Sequence, residues 1–225
     1  MCGRFVLHHR ISELQNDIEF ATDQININPD YNIAPTKPII AIIRCPHTLI
    51  NKSEICQWGL VPSWAKDTTW SAKLINARAE TINEKPSFRN AYKRRRCLIP
   101  ASGYYEWKIE RNTKQPYYIH MYSHRPMFFA GLWEIWNNPD GSELYSCTIA
   151  TVSASPQLKT LHNRMPVILQ GAARIKWIEA GENEIYSLSE YLVPHMGEDI
   201  EFYQVSTAVN NARWNNPRAV DPITN

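Results

Sequence analysis

Short runs of β-branched and aromatic residues, each closed by Pro, Gly or Asn, constrain this chain's fold more than any other feature of its sequence. They span residues 38–44, 54–60, 103–109, 117–122, 127–136, 143–152, 166–169 and 201–206, and runs of this composition and length favour strands. Helical patterning is sparser. Ile11, Leu14 and Ile18 recur at three- and four-residue spacing, residues 155–161 open on Ser-Pro, and 172–179 and 187–192 read as amphipathic. Asn138-Pro139-Asp140-Gly141, between runs that end at Trp136 and begin at Glu143, predicts an antiparallel hairpin. No repeat and no Gly/Ser-rich or charged linker divides the 225 residues, so one domain covering 1–225 is expected. The architecture this predicts is α+β: a coiled, barrel-like mixed β core with short peripheral helices.

Composition excludes several classes. A formal net charge of +2 neither announces a nucleic-acid protein nor argues against one, because contacts depend on local patches. Cysteines at positions 2, 45, 56, 97 and 147 form an odd set with no CxxC pair, fitting neither a disulfide framework nor a zinc knuckle. With no Gly-rich phosphate loop either, no metal and no organic cofactor is expected. The longest aliphatic run, residues 38–43, is too short to cross a bilayer or to serve as a signal core. A soluble cytoplasmic protein with no membrane contact and no obligate protein partner is the expectation.

Chemistry concentrates at the beginning of the chain. Cys2 follows the initiator methionine, and its small side chain favours removal of Met1, which would leave Cys2 as the amino terminus. Such a residue carries an α-amine and a thiol on adjacent carbons. The two can attack one aldehyde in turn and close a five-membered thiazolidine. At pH 7 roughly one α-amine in ten is unprotonated, against about one lysine in 2,500, which favours Cys2 over any lysine as a carbonyl nucleophile. Gly3 permits close backbone approach to a ligand, and Arg4 suits a phosphate.

Polar residues that interrupt apolar strings mark the other candidates: Asn76, Glu106, His162 and Arg164. Alternation along a strand turns Glu106 away from Tyr105 and Trp107 and onto the face of Tyr104. Desolvation there would raise its pKa and suit it to proton transfer; an edge glutamate paired with a surface arginine is the alternative. Taken alone, His162 reads more readily as a structural histidine, and Asn76 as the N-cap of a helix over 77–82. Trp58, Trp64 and Trp70 could stack on bases if exposed, with Trp58 expected to be buried. The basic run Lys93-Arg94-Arg95-Arg96 reads as a DNA track or, by preference, as a solvated helix end before a strand at Cys97.

Taken together, Cys2-Gly3-Arg4-Phe5, Tyr31 to Thr36, Trp58 to Trp64, Asn76 to Thr81, Arg96 to Pro100, Gly103 to Trp107, Ala130 to Glu134, His162 to Leu169 and Val205 to Asn211 closely resemble, in order and spacing, the SOS response-associated peptidase (SRAP) family. The resemblance runs from residue 2 to about residue 211. It implies the SRAP fold and a sensor of abasic sites in single-stranded DNA that crosslinks itself to the lesion through Cys2. In family terms Asn76 would hold the Cys2 terminus and the sugar, and Glu106 would exchange protons with the amine, carbinolamine and Schiff base. His162 would protonate the sugar ring oxygen and assist reversal or strand-cleaving elimination. Arg4, Arg78 and Arg164 would grip phosphates, and Asn32, Pro35, Trp64 and Thr151 would shape the cleft. Where the family commonly carries Ala-Asn ahead of the histidine segment, this chain has Ala154-Ser155, which removes any role of that asparagine.

Two other functions remain compatible with these residues. One is a cysteine peptidase with Cys2 as nucleophile, His162 as base and Asn76 as orienting group. The other is a non-covalent single-strand binding module built on Arg4, Arg78 and the tryptophans. An abasic site offers no base edge to read, so backbone charge, stacking and capture of the aldehyde must carry its recognition; covalent capture therefore ranks first.

Overall fold

The structure, a computed structural model, describes residues 2–22, 28–110, 113–197 and 199–223. Its strands are β1 (Phe5–Leu7), β2 (Asp30–Ile33), β3 (Pro38–Arg44), β4 (Asn51–Trp58), β5 (Asn76–Arg78), β6 (Arg96–Ala101), β7 (Gly103–Glu110), β8 (Thr113–Met121), β9 (Met127–Asn137), β10 (Glu143–Ser153), β11 (Arg164–Pro166) and β12 (Ile200–Gln204). Three short α-helices, α1 (Ile11–Gln15), α2 (Arg89–Arg94) and α3 (Ala172–Glu179), join them, with 3-10 turns elsewhere.

Following the pairings around the larger sheet explains the barrel. The order β10-β4-β3-β6-β9 closes on itself because β9 also pairs with β10, from Glu143 opposite Asn137 to Ile149 opposite Gly131. Closure removes the exposed edges that an open sheet would leave. The sheet is mixed, since β10 runs parallel to both β4 and β5 and antiparallel to β9 and β11. A second sheet, in the order β12-β8-β7-β1-β2, is antiparallel throughout. Aromatic rings join the two: Phe5 of β1 meets Trp58 of β4 edge-on at 5.1 Å and Phe129 of β9 at 6.2 Å, and Tyr104 of β7 meets Phe129 at 5.9 Å.

Most of the expected elements form. The Asn138–Gly141 segment makes the hairpin turn between β9 and β10, with the Asn138 N–H donating to the Ser142 carbonyl and Gly141 at φ 87°. Residues 38–44 and 172–179 match β3 and α3. β4 stops at Trp58 because Gly59, at φ 126°, turns the chain, and a Cβ there would lie 2.3 Å from the Ser71 carbonyl oxygen. Segment 155–161 contributes a single 3-10 turn, Leu158–Thr160, and 187–192 forms the end of the ten-residue 3-10 segment Glu182–Tyr191. Asn76 is no N-cap. It begins β5, paired in register with Ile149 of β10, and the 3-10 turn Ala79–Thr81 starts only after Arg78.

Trp58 is fully buried and its indole N–H donates to the Ile75 carbonyl. Trp58→Ala therefore opens a cavity and strands that carbonyl, with an expected loss of about 3–5 kcal/mol in denaturant unfolding. A loss below about 1 kcal/mol would mean that the ring is not a core element.

Candidate active site

The site is assembled from the start of the chain and three strands of the two sheets. Cys2 lies just before β1, which pairs with β7 at Phe5–Tyr104 and Val6–Gly103. Its side chain is fully buried. Asn76, at the start of β5, donates from Nδ2 to the Cys2 carbonyl at 2.8 Å and so anchors the terminus to the barrel. The Asn76 Oδ1 is buried and has no hydrogen-bond partner among the described residues.

Glu106 stands on β7, 4 % exposed, on the face of Tyr104; Tyr105 and Trp107 turn to the opposite side, their rings 6.3 Å apart. Burial raises its pKa above the usual carboxylate range, while His162 nearby acts in the other direction. The Cys2 thiol is pushed far up, first by burial and then by the Glu106 carboxylate, with the Arg4 backbone N–H partly offsetting this. At neutral pH the sulfur is therefore a protonated thiol within the field of the Glu106 carboxyl group.

His162 follows the 3-10 turn Leu158–Thr160 and is half-buried. Its Nδ1 lies 2.9 Å from the Arg164 backbone nitrogen, whose N–H points at it, and 3.2 Å from the Arg164 carbonyl oxygen. A cleft of about 440 Å³ opens along Glu106 and His162 and is lined also by Arg4, Trp107, Ile109, Lys114 and Asn210.

Around this centre the other expected residues are placed in different ways. Arg4 donates from Nη1 to Asn32 Oδ1 at 2.6 Å and to the Val209 carbonyl at 3.1 Å, and its guanidinium lies 5.7 Å from the centre of the Trp107 ring. Asn32 is fully buried, with Nδ2 donating to the carbonyls of Val209, Asn211 and Trp214. It acts on the cleft by fixing Arg4. Pro35 is half-buried and begins the turn in which Thr36 adopts φ 69°. Trp64 is 52 % exposed and packs edge-on against Trp70, itself 38 % exposed, at 5.6 Å. Arg78 is exposed at the end of β5, opposite Thr151 in register. Thr151 is fully buried, and its carbonyl accepts from Arg164 Nη2 at 2.5 Å. Arg164 also forks onto Glu80.

Trp107, Asn210 and Lys114 complete the cleft without having been singled out as site residues. Trp107 Nε1 donates to Asn210 Oδ1 at 2.6 Å, a contact across distant segments that no local pattern announces. The basic run belongs to the fold. Arg96 is buried and donates to the carbonyls of Tyr92, Lys93 and Trp177, covering the ends of α2 and α3. Arg95 pairs with the buried Glu134, and Arg94 with Glu182. Replacing Lys93 and Arg94 together by Gln is expected to leave the salt dependence of single-strand binding unchanged; a slope shallower by about one unit would put them in the interface.

Comparison with known proteins adds a family. Residues 1–212 match the model of the SOS response associated peptidase (SRAP) family. The chain is 41 % identical over 227 residues to "Abasic site processing protein YoqW" of Bacillus subtilis, covering 98 % of this chain and 99 % of that one. It is 32 % identical over 230 residues to "Abasic site processing protein HMCES" of Xenopus tropicalis, covering 89 % of this chain and 68 % of the other. A crystal structure of a protein from Bacteroides thetaiotaomicron superposes with a TM-score of 0.85 at 25 % identity, over 99 % of this chain and all of that one.

Proposed function

The chain belongs to the SOS response associated peptidase family, and we propose that it processes abasic sites in single-stranded DNA by covalent capture through Cys2 after removal of Met1. The observation that carries this reading is the company of Cys2: a terminus anchored by Asn76 and a thiol beside the buried Glu106.

Those placements support the following steps. The Cys2 α-amine attacks the ring-opened sugar aldehyde, giving a carbinolamine, and Asn76 Oδ1 is placed to accept from the amine and orient it. Glu106, whose raised pKa suits both directions of proton transfer, takes a proton from the amine and returns one to the departing hydroxyl, so that one water leaves. The thiol then adds to the carbon of the C=N bond. A C–S bond forms, the electron pair of the C=N bond moves to nitrogen, and the S–H proton passes to that nitrogen by way of Glu106. His162 lines the cleft beside Glu106 and would serve the sugar ring oxygen in the proton exchange that opens the aldehyde. Arg4, Arg78 and Arg164 receive the flanking phosphates.

Peptide hydrolysis by Cys2 with His162 as base is the second reading. It needs no free α-amine, so acetylating the processed terminus leaves hydrolysis intact and abolishes capture. Passive single-strand binding needs no buried thiol.

A denaturing gel of the processed protein with a single-stranded oligonucleotide bearing one abasic site is expected to show a retarded band that an undamaged strand of the same sequence does not give. Bands of equal strength with both strands, or with neither, would remove the assignment. Stacking on the exposed indole is expected as well. Trp64→Ala should weaken single-strand affinity by about 1–3 kcal/mol without changing the unfolding midpoint, and unchanged affinity would take Trp64 out of the interface.

A further inference from the structure

Arg164 is the least free of the three arginines. Its Nη1 donates to Glu80 Oε1 at 2.5 Å and its Nη2 to Glu80 Oε2 at 3.0 Å, a two-pronged pair of the kind a phosphate makes with the same fork. The Arg164 side chain is 14 % exposed, whereas that of Glu80 is 51 % exposed. Nη2 is held independently from the other side by the carbonyl and hydroxyl of the buried Thr151.

The two halves of this contact are thus unequal. Arg164 is fixed by Thr151 whether or not Glu80 is present. Glu80 sits on the one-turn 3-10 segment Ala79–Thr81, two residues from the exposed Arg78. The hydrogen bonds from Arg164, and more weakly the Arg78 charge, hold its carboxyl below the ordinary range, so it is an anion throughout the neutral region. An anion lies on the guanidinium edge that the proposed reaction assigns to a backbone phosphate.

We propose that Glu80 is a positioning and affinity-setting residue, a built-in carboxylate that occupies the phosphate seat of Arg164 and must swing out when a DNA phosphate takes that seat. This rests on the reading of the site as one that captures abasic DNA. Its consequence is selectivity. Undamaged single strands, held by charge alone, must displace Glu80 and are weakened by its proximity, whereas a strand with an abasic site gains a covalent bond that offsets the displacement.

The experiment measures the affinity of the processed protein for an undamaged single-stranded oligonucleotide at fixed salt, in wild type, Glu80→Gln, Arg164→Gln and the double variant. Adduct yield with an abasic strand is recorded beside it. Glu80→Gln is expected to bind about three- to tenfold more tightly than wild type, and the same change made on Arg164→Gln to gain less than about twofold. A gain in affinity is a result that structural damage does not produce. Unchanged or weaker binding in Glu80→Gln overturns the proposal, since the carboxylate would then be neutral or helpful to binding. So does an equal gain on both backgrounds, which would reflect general removal of negative charge. Failure of wild type to form any adduct is a separate outcome: it removes the capture reading itself and the phosphate seat with it.

Discussion

Cys2→Ala abolishes the denaturation-resistant adduct while leaving a fold of near wild-type stability and an intact α-amine. Alanine cannot supply the sulfur that closes the ring, so capture stops at the Schiff base, which hydrolyses. The amine attack itself survives, and borohydride added during the reaction is expected to recover a reduced amine crosslink from the variant. The thiazolidine of the wild type, having no C=N bond, is not fixed by that reagent. Thiol and amine thus have separable signatures. Alanine deletes one buried sulfur from the core, a modest loss of volume, while the terminus stays held through the Cys2 carbonyl and Asn76. A variant that still gives full adduct without borohydride would place the nucleophile elsewhere.

Glu106→Gln is expected to have the next largest effect, slowing adduct formation by about 10²- to 10⁴-fold, the usual worth of a positioned acid-base group. Gln has nearly the same size and keeps a hydrogen-bonding head in the buried position on β7, so the loss reports proton transfer more than packing. The pH dependence separates the two further. Burial raises the Glu106 pKa, and as a base the group acts only when ionised. The wild-type rate therefore falls as pH drops through that raised value, at a pH above the ordinary carboxylate range. In Glu106→Gln this acid limb disappears, leaving the limb of the α-amine, which must be unprotonated to attack. A wild-type profile retained in the Gln variant would assign the limb to another group.

What the sequence revealed and what it hid divide along the range of the contacts. The β9–β10 hairpin was legible because Asn138 to Gly141 carries its turn within a few residues. The orientation of Glu106 was legible for a similar reason, since strand alternation fixes which face follows Tyr105. Asn76, bonded to the Cys2 carbonyl, is a strand residue and not the helix cap that its local sequence suggests. Its side chain favours helix starts locally, and only pairing with the distant Ile149 makes it a strand residue. Thr151 and Asn32 were expected to shape the cleft directly. Both are buried, Thr151 bonded to Arg164 and Asn32 to Arg4. The Glu80–Arg164 pair joins segments far apart in the chain, and neither residue's neighbours hint at it. Short strands such as β1 and β2 escape periodicity altogether, because a few residues cannot display a repeat.

The most direct test of covalent capture by Cys2 is the intact mass of the Met1-processed protein after incubation with a single-stranded oligonucleotide carrying one abasic site, beside the same chain with Met1 retained. Capture by Cys2 gives, for the processed protein alone, a species equal to protein plus oligonucleotide less one water. No such species from a chain whose processing the mass itself confirms, or the same species in equal amount from the chain that keeps Met1, would contradict it.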